Sequence, residues 1–99
     1  MSGPPPQPRN LLGMTEREMR FVRLAARNLS QSEIAAAEGC SRHTVNQHLY
    51  LVHQRLGFAG ASAAIATGYV VGVFDAGRPK AARALCPAYA HEEIDLAAL

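Results

Sequence analysis

Three hydroxyl residues, Thr15, Ser30 and Ser41, each stand directly before a run with helical spacing, and Gly39 and Gly57 each stand directly after one. In Thr15-Glu16-Arg17-Glu18 and Ser30-Gln31-Ser32-Glu33, the hydroxyl can accept from the backbone N–H three residues on. The glutamate can reach back to the N–H of the cap itself. Starts and stops this closely spaced restrict the middle of the chain to short helices joined by tight turns. A first helix is expected over about 16–27, with Phe21, Val22, Leu24 and Ala25 on one face and Asn28 as a left-handed stop. A second is expected over 31–38 and a third over 42–56, ended by Gly39 and Gly57. A fourth is expected over about 61–71, with "VVGVF" at its end and not as a strand.

Outside this punctuated region the chain changes character. "MSGPPPQPRN" is too proline-rich for a helix or a central strand, so residues 1–12 are expected to form a flexible arm. Residues 75–99 contain Pro79 and Pro87 and form a C-terminal extension. A short amphipathic helix is expected near its end, over 91–99, through Ile94, Leu96 and Leu99. The expected architecture is all-α, a four-helix domain over 13–74 between two tails, and 99 residues suit one such domain.

Net charge is only +2, which excludes a histone-like mode of binding. The cations are unevenly placed, however. Arg17, Arg20, Arg23, Arg27, Arg42 and Arg55 fall in the middle, whereas Asp75, Glu92, Glu93 and Asp95 fall late, which allows a local anion-binding face. Residues 56–74 carry no charge, but four glycines and many alanines make this run too weakly apolar for a bilayer span; a buried or dimerising helix is expected. Cys40 and Cys86 have no framework spacing and are expected to be reduced thiols. No secretory signal opens the chain, and a cytoplasmic protein is expected.

The second and third helices, separated by about three residues, make a helix-turn-helix. Ala35 is small where the two helices must touch. Gly39, four residues later, can adopt the positive φ of the turn, and Val45, six further, can fill the angle between the helices. At about 100° per residue, Val45, Leu49, Val52 and Leu56 gather on one side of the third helix. Arg42, His43, Asn46, Gln47, Tyr50, His53 and Gln54 occupy the other, which is free of acidic side chains. Such a face suits the major groove, where Asn, Gln and Arg match base-edge donors and acceptors. Free N–H groups at the starts of the second and third helices suit phosphates. His43, His48 and His53 recur every five residues, about 140° apart, and cannot share a metal. No nucleophile–base pair or Gly-rich phosphate loop points to an enzyme, a metal or a cofactor.

The stretch "MTEREMRFVRLAARNLSQSEIAAAEGCSRHTVNQHLYLVHQRLG" resembles the LuxR/GerE-type helix-turn-helix domain of bacterial transcription regulators. The pieces that match are Thr15, Arg17 and Glu18; Ser30 with Glu33-Ile34-Ala35; Ser41 with Thr44-Val45 and His48; and Leu56-Gly57. The likeness covers about 13–71. It implies a four-helix domain that binds a two-fold DNA site as a homodimer, with the third helix in the major groove and the fourth at the dimer contact. Carried onto this chain, the base-contact positions are Asn46, Gln47 and Tyr50, and the polar face adds Arg42 and His43. Phosphate contacts are expected from Ser30, Gln31, Ser41, Thr44, His53 and Gln54. The dimer seam is expected along Ala61, Ala64, Ile65, Gly68, Tyr69 and Gly72.

The chain departs from the family pattern at several places. The base-contact positions are often basic in the family and here are not; Glu38 stands where an apolar residue is usual; Ala61 stands where arginine is frequent. No receiver or ligand-binding domain is evident, so a stand-alone effector is expected, controlled by abundance or by a partner. The alternative is a protein-interaction module of the same fold that pairs with another regulator or with RNA polymerase. A sigma-factor-like domain shares the turn geometry, but "HQRLG" and the uncharged fourth helix argue against it. "AGRPKAAR" (76–83) is a basic stretch able to trail along phosphates.

Overall fold

A computed structural model of the chain describes residues 7–92. Five α-helices follow one another: α1 (Glu16–Ala26), α2 (Gln31–Glu38), α3 (Arg42–Leu56), α4 (Ala63–Asp75) and α5 (Pro79–Ala84), with a 3-10 turn at Pro87–Tyr89. The only β pairing among the described residues is a single bridge between Arg9 and Thr15. The fold is all-α.

The capping chemistry fixes the first three helices. Thr15 accepts from Glu18 N at 3.1 Å while its own N–H donates to Glu18 at 2.9 Å. Ser30 and Glu33 repeat the exchange at 3.1 and 2.8 Å. Asn28 is left-handed at φ 72°, and Gly39 and Gly57 close α2 and α3 at φ 67° and 89°. These boundaries agree with the capping residues.

The fourth helix does not keep its expected bounds. It starts at Ala63, leaving Ala61 in the preceding turn, and runs on to Asp75. Ser62 makes no side-chain cap bond there, so no polar signal fixes the start. The end is extended because Val70 and Val71 are buried and Asp75 is held by Arg23 at 2.8 and 2.9 Å.

Two apolar clusters build the core. Phe21, Ile34, Ala35 and Val45 join α1, α2 and α3, with Cys40 of the turn against them. The larger cluster gathers Met14, Met19, Val22, Val52, Leu56, Val70 and Val71. Leu49 packs against both. His48 stands edge-on to Phe21, centroids 5.4 Å apart at 78°, which places it at the edge of the core.

Both tails contribute more than expected. Leu12, placed in the flexible arm, is fully buried in the larger cluster. The chain is fixed from Arg9 onward: Asn10 Oδ1 accepts from Leu12 N and Met14 N at 2.9 and 3.1 Å, and Arg9 donates to Gly13 O at 2.8 Å. In the extension, Pro79 and Pro87 do not break structure but begin it, because a first helical residue needs no N–H partner. Ala82 and Cys86 are fully buried in the same cluster, and burial pushes the Cys86 thiol up to about 11. Tyr89 donates its hydroxyl to Leu12 O at 2.9 Å. Arg83 lies 3.7 Å over the Tyr89 ring, holds Glu92 at 2.6 and 2.8 Å and donates to Leu11 O. His91 and Glu92 form a turn and a bend; the rest of the helix expected over 91–99 lies outside the described residues. Among the described residues, no helix is long and apolar enough to cross a membrane.

Candidate nucleic-acid interface

Alternation along α3 separates two faces. Val45, Val52 and Leu56 are fully buried, which leaves Arg42, His43, Asn46, Gln47 and Tyr50 exposed on the outer side. Ser41 anchors the start of the helix. Its hydroxyl accepts from Thr44 N at 3.1 Å and shares a hydrogen bond with the Thr44 hydroxyl at 2.9 Å. Only one of those two hydroxyls can donate in that bond, so the other keeps its O–H for a further acceptor.

The start of α2 lies against the same face. Gln31 Nε2 donates to Asn46 Oδ1 at 3.1 Å, and Gln31, Arg42, His43 and Asn46 line one open cleft of about 400 Å³. Farther along, Gln54 Nε2 donates to the Tyr50 hydroxyl at 2.8 Å. That bond uses the Tyr50 oxygen as acceptor and leaves its O–H free to donate. His53 is half-buried, and burial pulls its imidazole below the usual histidine value, so at neutral pH it adds no positive charge.

Ser30 is already engaged. Its hydroxyl accepts from Glu33 N, and its N–H donates to the Glu33 carboxylate. The bonds to Ser30 hold that carboxyl below its ordinary range. An incoming phosphate at the start of α2 therefore meets an anion beside Ser30, and the N–H groups of Gln31 and Ser32 are better placed to serve it.

Electrostatics around the face differ from the basic middle seen in the sequence. Arg20 pairs with Glu38 at 3.0 Å, Arg23 with Glu16 and Asp75 at 2.9 and 2.8 Å, and Arg55 with Glu18 at 2.9 Å. Arg17 lies 5.3 Å over the Phe21 ring. Arg42 is the arginine of this set on the outer face of α3. Glu38, foreign to an apolar position, thus acts as the counter-ion of Arg20 and sets part of the α1–α2 spacing.

Glu18 is a site that sequence reasoning assigned only to capping. It is nearly buried, and it also accepts from Arg9 at 3.2 Å. Burial by itself would raise its pKa, but the Thr15 N–H and the Arg55 and Arg9 guanidinium groups outweigh it and hold the carboxyl below the ordinary value. Nothing local announces the Arg55 partner, which is 37 residues away.

The expected dimer seam separates into two groups. Ile65 and Tyr69 are 79% and 67% exposed, one turn apart on α4. Ala64 and Gly68 join them, with Ala25 and Ala26 of α1, in a groove of about 450 Å³. Gly72 faces open space, and a Cβ there would meet nothing within 4 Å. Ala61 is not on this helix.

No curated protein and no solved structure matches the chain. The family model of GerE, bacterial regulatory proteins of the luxR family, matches residues 12–67, which spans the capped α1, the helix-turn-helix pair and the first turns of α4. With its acid-free outer face on α3 and this match over more than half of its length, the chain belongs to the luxR family of bacterial regulatory proteins and carries their DNA-binding helix-turn-helix domain.

Proposed function

We propose that the protein regulates transcription as a homodimer that reads a two-fold site in duplex DNA, with α3 in the major groove of each half-site. The observation that carries this reading is the outer face of α3. Arg42, His43, Asn46, Gln47 and Tyr50 are exposed together, no acid lies among them, and the start of α2 is joined to them by the Gln31–Asn46 bond. Asn46, Gln47 and Tyr50 contact base edges, Arg42 and His43 flank them, and Ser41, Thr44, Gln31, His53 and Gln54 face phosphates. Ser30 contributes mainly by capping α2. DNA contact is carried by residues 13–74, and the segment from 75 onward supports the fold. The protein then acts at the chromosome, within the nucleoid.

The exposed Ile65–Tyr69 ridge on α4, with Ala64, Gly68 and Gly72 beside it, supports the homodimer. Two large apolar side chains one turn apart are uncommon on a solvated helix and suit an interface. The second reading, a module that pairs with another regulator or with RNA polymerase, is favoured by the internal pairing of Arg20, Arg23 and Arg55, which lowers the attraction for DNA. Selection of bound fragments from a random duplex pool separates the two. Enrichment of an inverted repeat supports the dimeric DNA reader, and a pool that stays random supports the interaction module.

A further inference from the structure

We infer that Gln31 is a specificity-determining positioning residue: it holds the Asn46 amide so that Asn46 offers its N–H₂ edge to a base. This rests on the reading of α3 as the helix that enters the major groove. Gln31 is the first residue of α2 and Asn46 lies near the start of α3, yet the turn between the helices brings their side chains to 3.1 Å, Nε2 of Gln31 donating to Oδ1 of Asn46.

The consequence follows from the chemistry of an amide. Its oxygen has two acceptor sites and its nitrogen two donor hydrogens, and the unit turns as one plane about χ2. With Oδ1 tied to Gln31, one acceptor site is consumed and the plane is fixed. Nδ2, with both hydrogens, is the edge left without a protein partner among the described residues. An unrestrained asparagine can present either edge and so tolerates both donors and acceptors on the base. A restrained one selects acceptors: N7 of either purine, O6 of guanine or O4 of thymine. The N4 amino edge of cytosine, a donor, is disfavoured, because only the second acceptor site of Oδ1 remains for it.

Gln31 can do this without leaving the DNA backbone. Nε2 keeps a second hydrogen after bonding Asn46, and the N–H groups of the first turn of α2 stand next to it. A phosphate bound there would stiffen Gln31 and, through it, Asn46. Backbone position and base reading are then coupled through one side chain. The neighbouring pair is built in the same way: Gln54 fixes the Tyr50 hydroxyl as an acceptor and leaves its O–H to donate. Both tethered side chains on this face thereby present donors outward.

The test compares Gln31→Met, Gln31→Glu and Asn46→Ala with the wild type. Each protein is used to select fragments from random duplex DNA, and its affinity is then measured for the four base pairs at each position of the wild-type site. Circular dichroism confirms that helicity is unchanged. Gln31→Met, which keeps length but cannot donate, lowers discrimination at a single base pair by roughly fivefold or more. That base pair is the one at which Asn46→Ala loses discrimination. Gln31→Glu can only accept, so it turns the Asn46 amide over and shifts preference at that pair toward donor bases. In the Asn46→Ala background, Gln31→Met has no further effect on discrimination there.

If Asn46→Ala alters the profile and Gln31→Met leaves it unchanged, or weakens all sites equally as a bare phosphate contact would, the positioning role is wrong and the α3 reading stands. If the wild type enriches no sequence, or Asn46→Ala changes nothing, the α3 reading itself fails and takes this inference with it.

Discussion

Arg55, in the last turn of α3, donates to Glu18, in the first turn of α1, at 2.9 Å. The same carboxylate oxygen accepts from the Thr15 N–H and from Arg9. One buried anion thereby joins the entering chain, the cap of α1 and the far end of the helix that presents the DNA-facing side chains. Glu18→Gln keeps the shape but removes the charge and leaves Arg55, 28% exposed, without its counter-ion. A loss of about 1–3 kcal/mol in denaturant unfolding is expected at neutral pH.

The same bond makes a pH prediction. The Glu18 carboxyl titrates below its ordinary value of 4.5 in the folded chain, so the unfolded chain binds its proton first as acid is added. Its contribution is complete above the ordinary value and is lost as pH falls through the lower folded value. The stability gap between wild type and Glu18→Gln is therefore constant at neutral pH and closes at acidic pH. A gap that widens on acidification contradicts the assignment.

Gly39 and Gly57 share a left-handed backbone but not their surroundings. A Cβ at Gly39 meets nothing within 4 Å, whereas one at Gly57 meets Ala88 N at 2.5 Å. Gly39→Ala is expected to cost about 1 kcal/mol, the conformational penalty alone. Gly57→Ala adds a collision with the backbone after α5 and is expected to cost about 2 kcal/mol or more. Thermal unfolding of the two variants measures the difference, which isolates the close approach of the C-terminal extension.

These sites show where the sequence was legible. Thr15, Ser30, Ser41, Gly39 and Gly57 act through neighbours three or four residues away, so the bounds of α1, α2 and α3 follow from local chemistry. Ser62 stands before Ala63 but makes no side-chain cap bond, so the start of α4 could not be placed the same way. Arg55 and Glu18, Arg23 and Asp75, and Gly57 and Ala88 meet only after folding. For that reason the basic middle looked more available to DNA than it is. Pro79 and Pro87 fit either a break or a helix start, and only the buried Ala82 and Cys86 decide between them. On α3 the apolar stripe was legible from spacing, but the Gln31–Asn46 bond was not, because it depends on how the turn orients two helices.

The α4 seam makes a prediction that separates assembly from folding. Ile65 is 79% exposed in one copy, so Ile65→Glu should change monomer stability by no more than about 0.5 kcal/mol. Placed in an apolar seam, the carboxylate should raise the dimer dissociation constant roughly tenfold or more. Sedimentation velocity over a concentration series reads the second effect and thermal unfolding at high dilution the first. An unchanged sedimentation profile would remove Ile65 from the interface.

Charge on the DNA-facing side makes the last prediction. Each phosphate neutralised by a cation contributes about 0.9 to the slope of log K against log salt. Arg42 is exposed on the outer face of α3 beside the base-reading side chains, so Arg42→Ala should lower that slope by about one unit for each phosphate that Arg42 also neutralises, and should relax discrimination at the base pair it reaches. Arg20 is also half-exposed, yet Glu38 neutralises it at 3.0 Å. Removing both partners, as Arg20→Ala with Glu38→Ala, subtracts no net charge and should leave the slope unchanged. If that double variant lowers the slope as much as Arg42→Ala does, the Arg20–Glu38 pair opens on DNA and the basic face is broader than the free structure shows. If Arg42→Ala leaves the slope intact, the phosphates are held elsewhere, and the N–H groups at the start of α2 become the principal anchor.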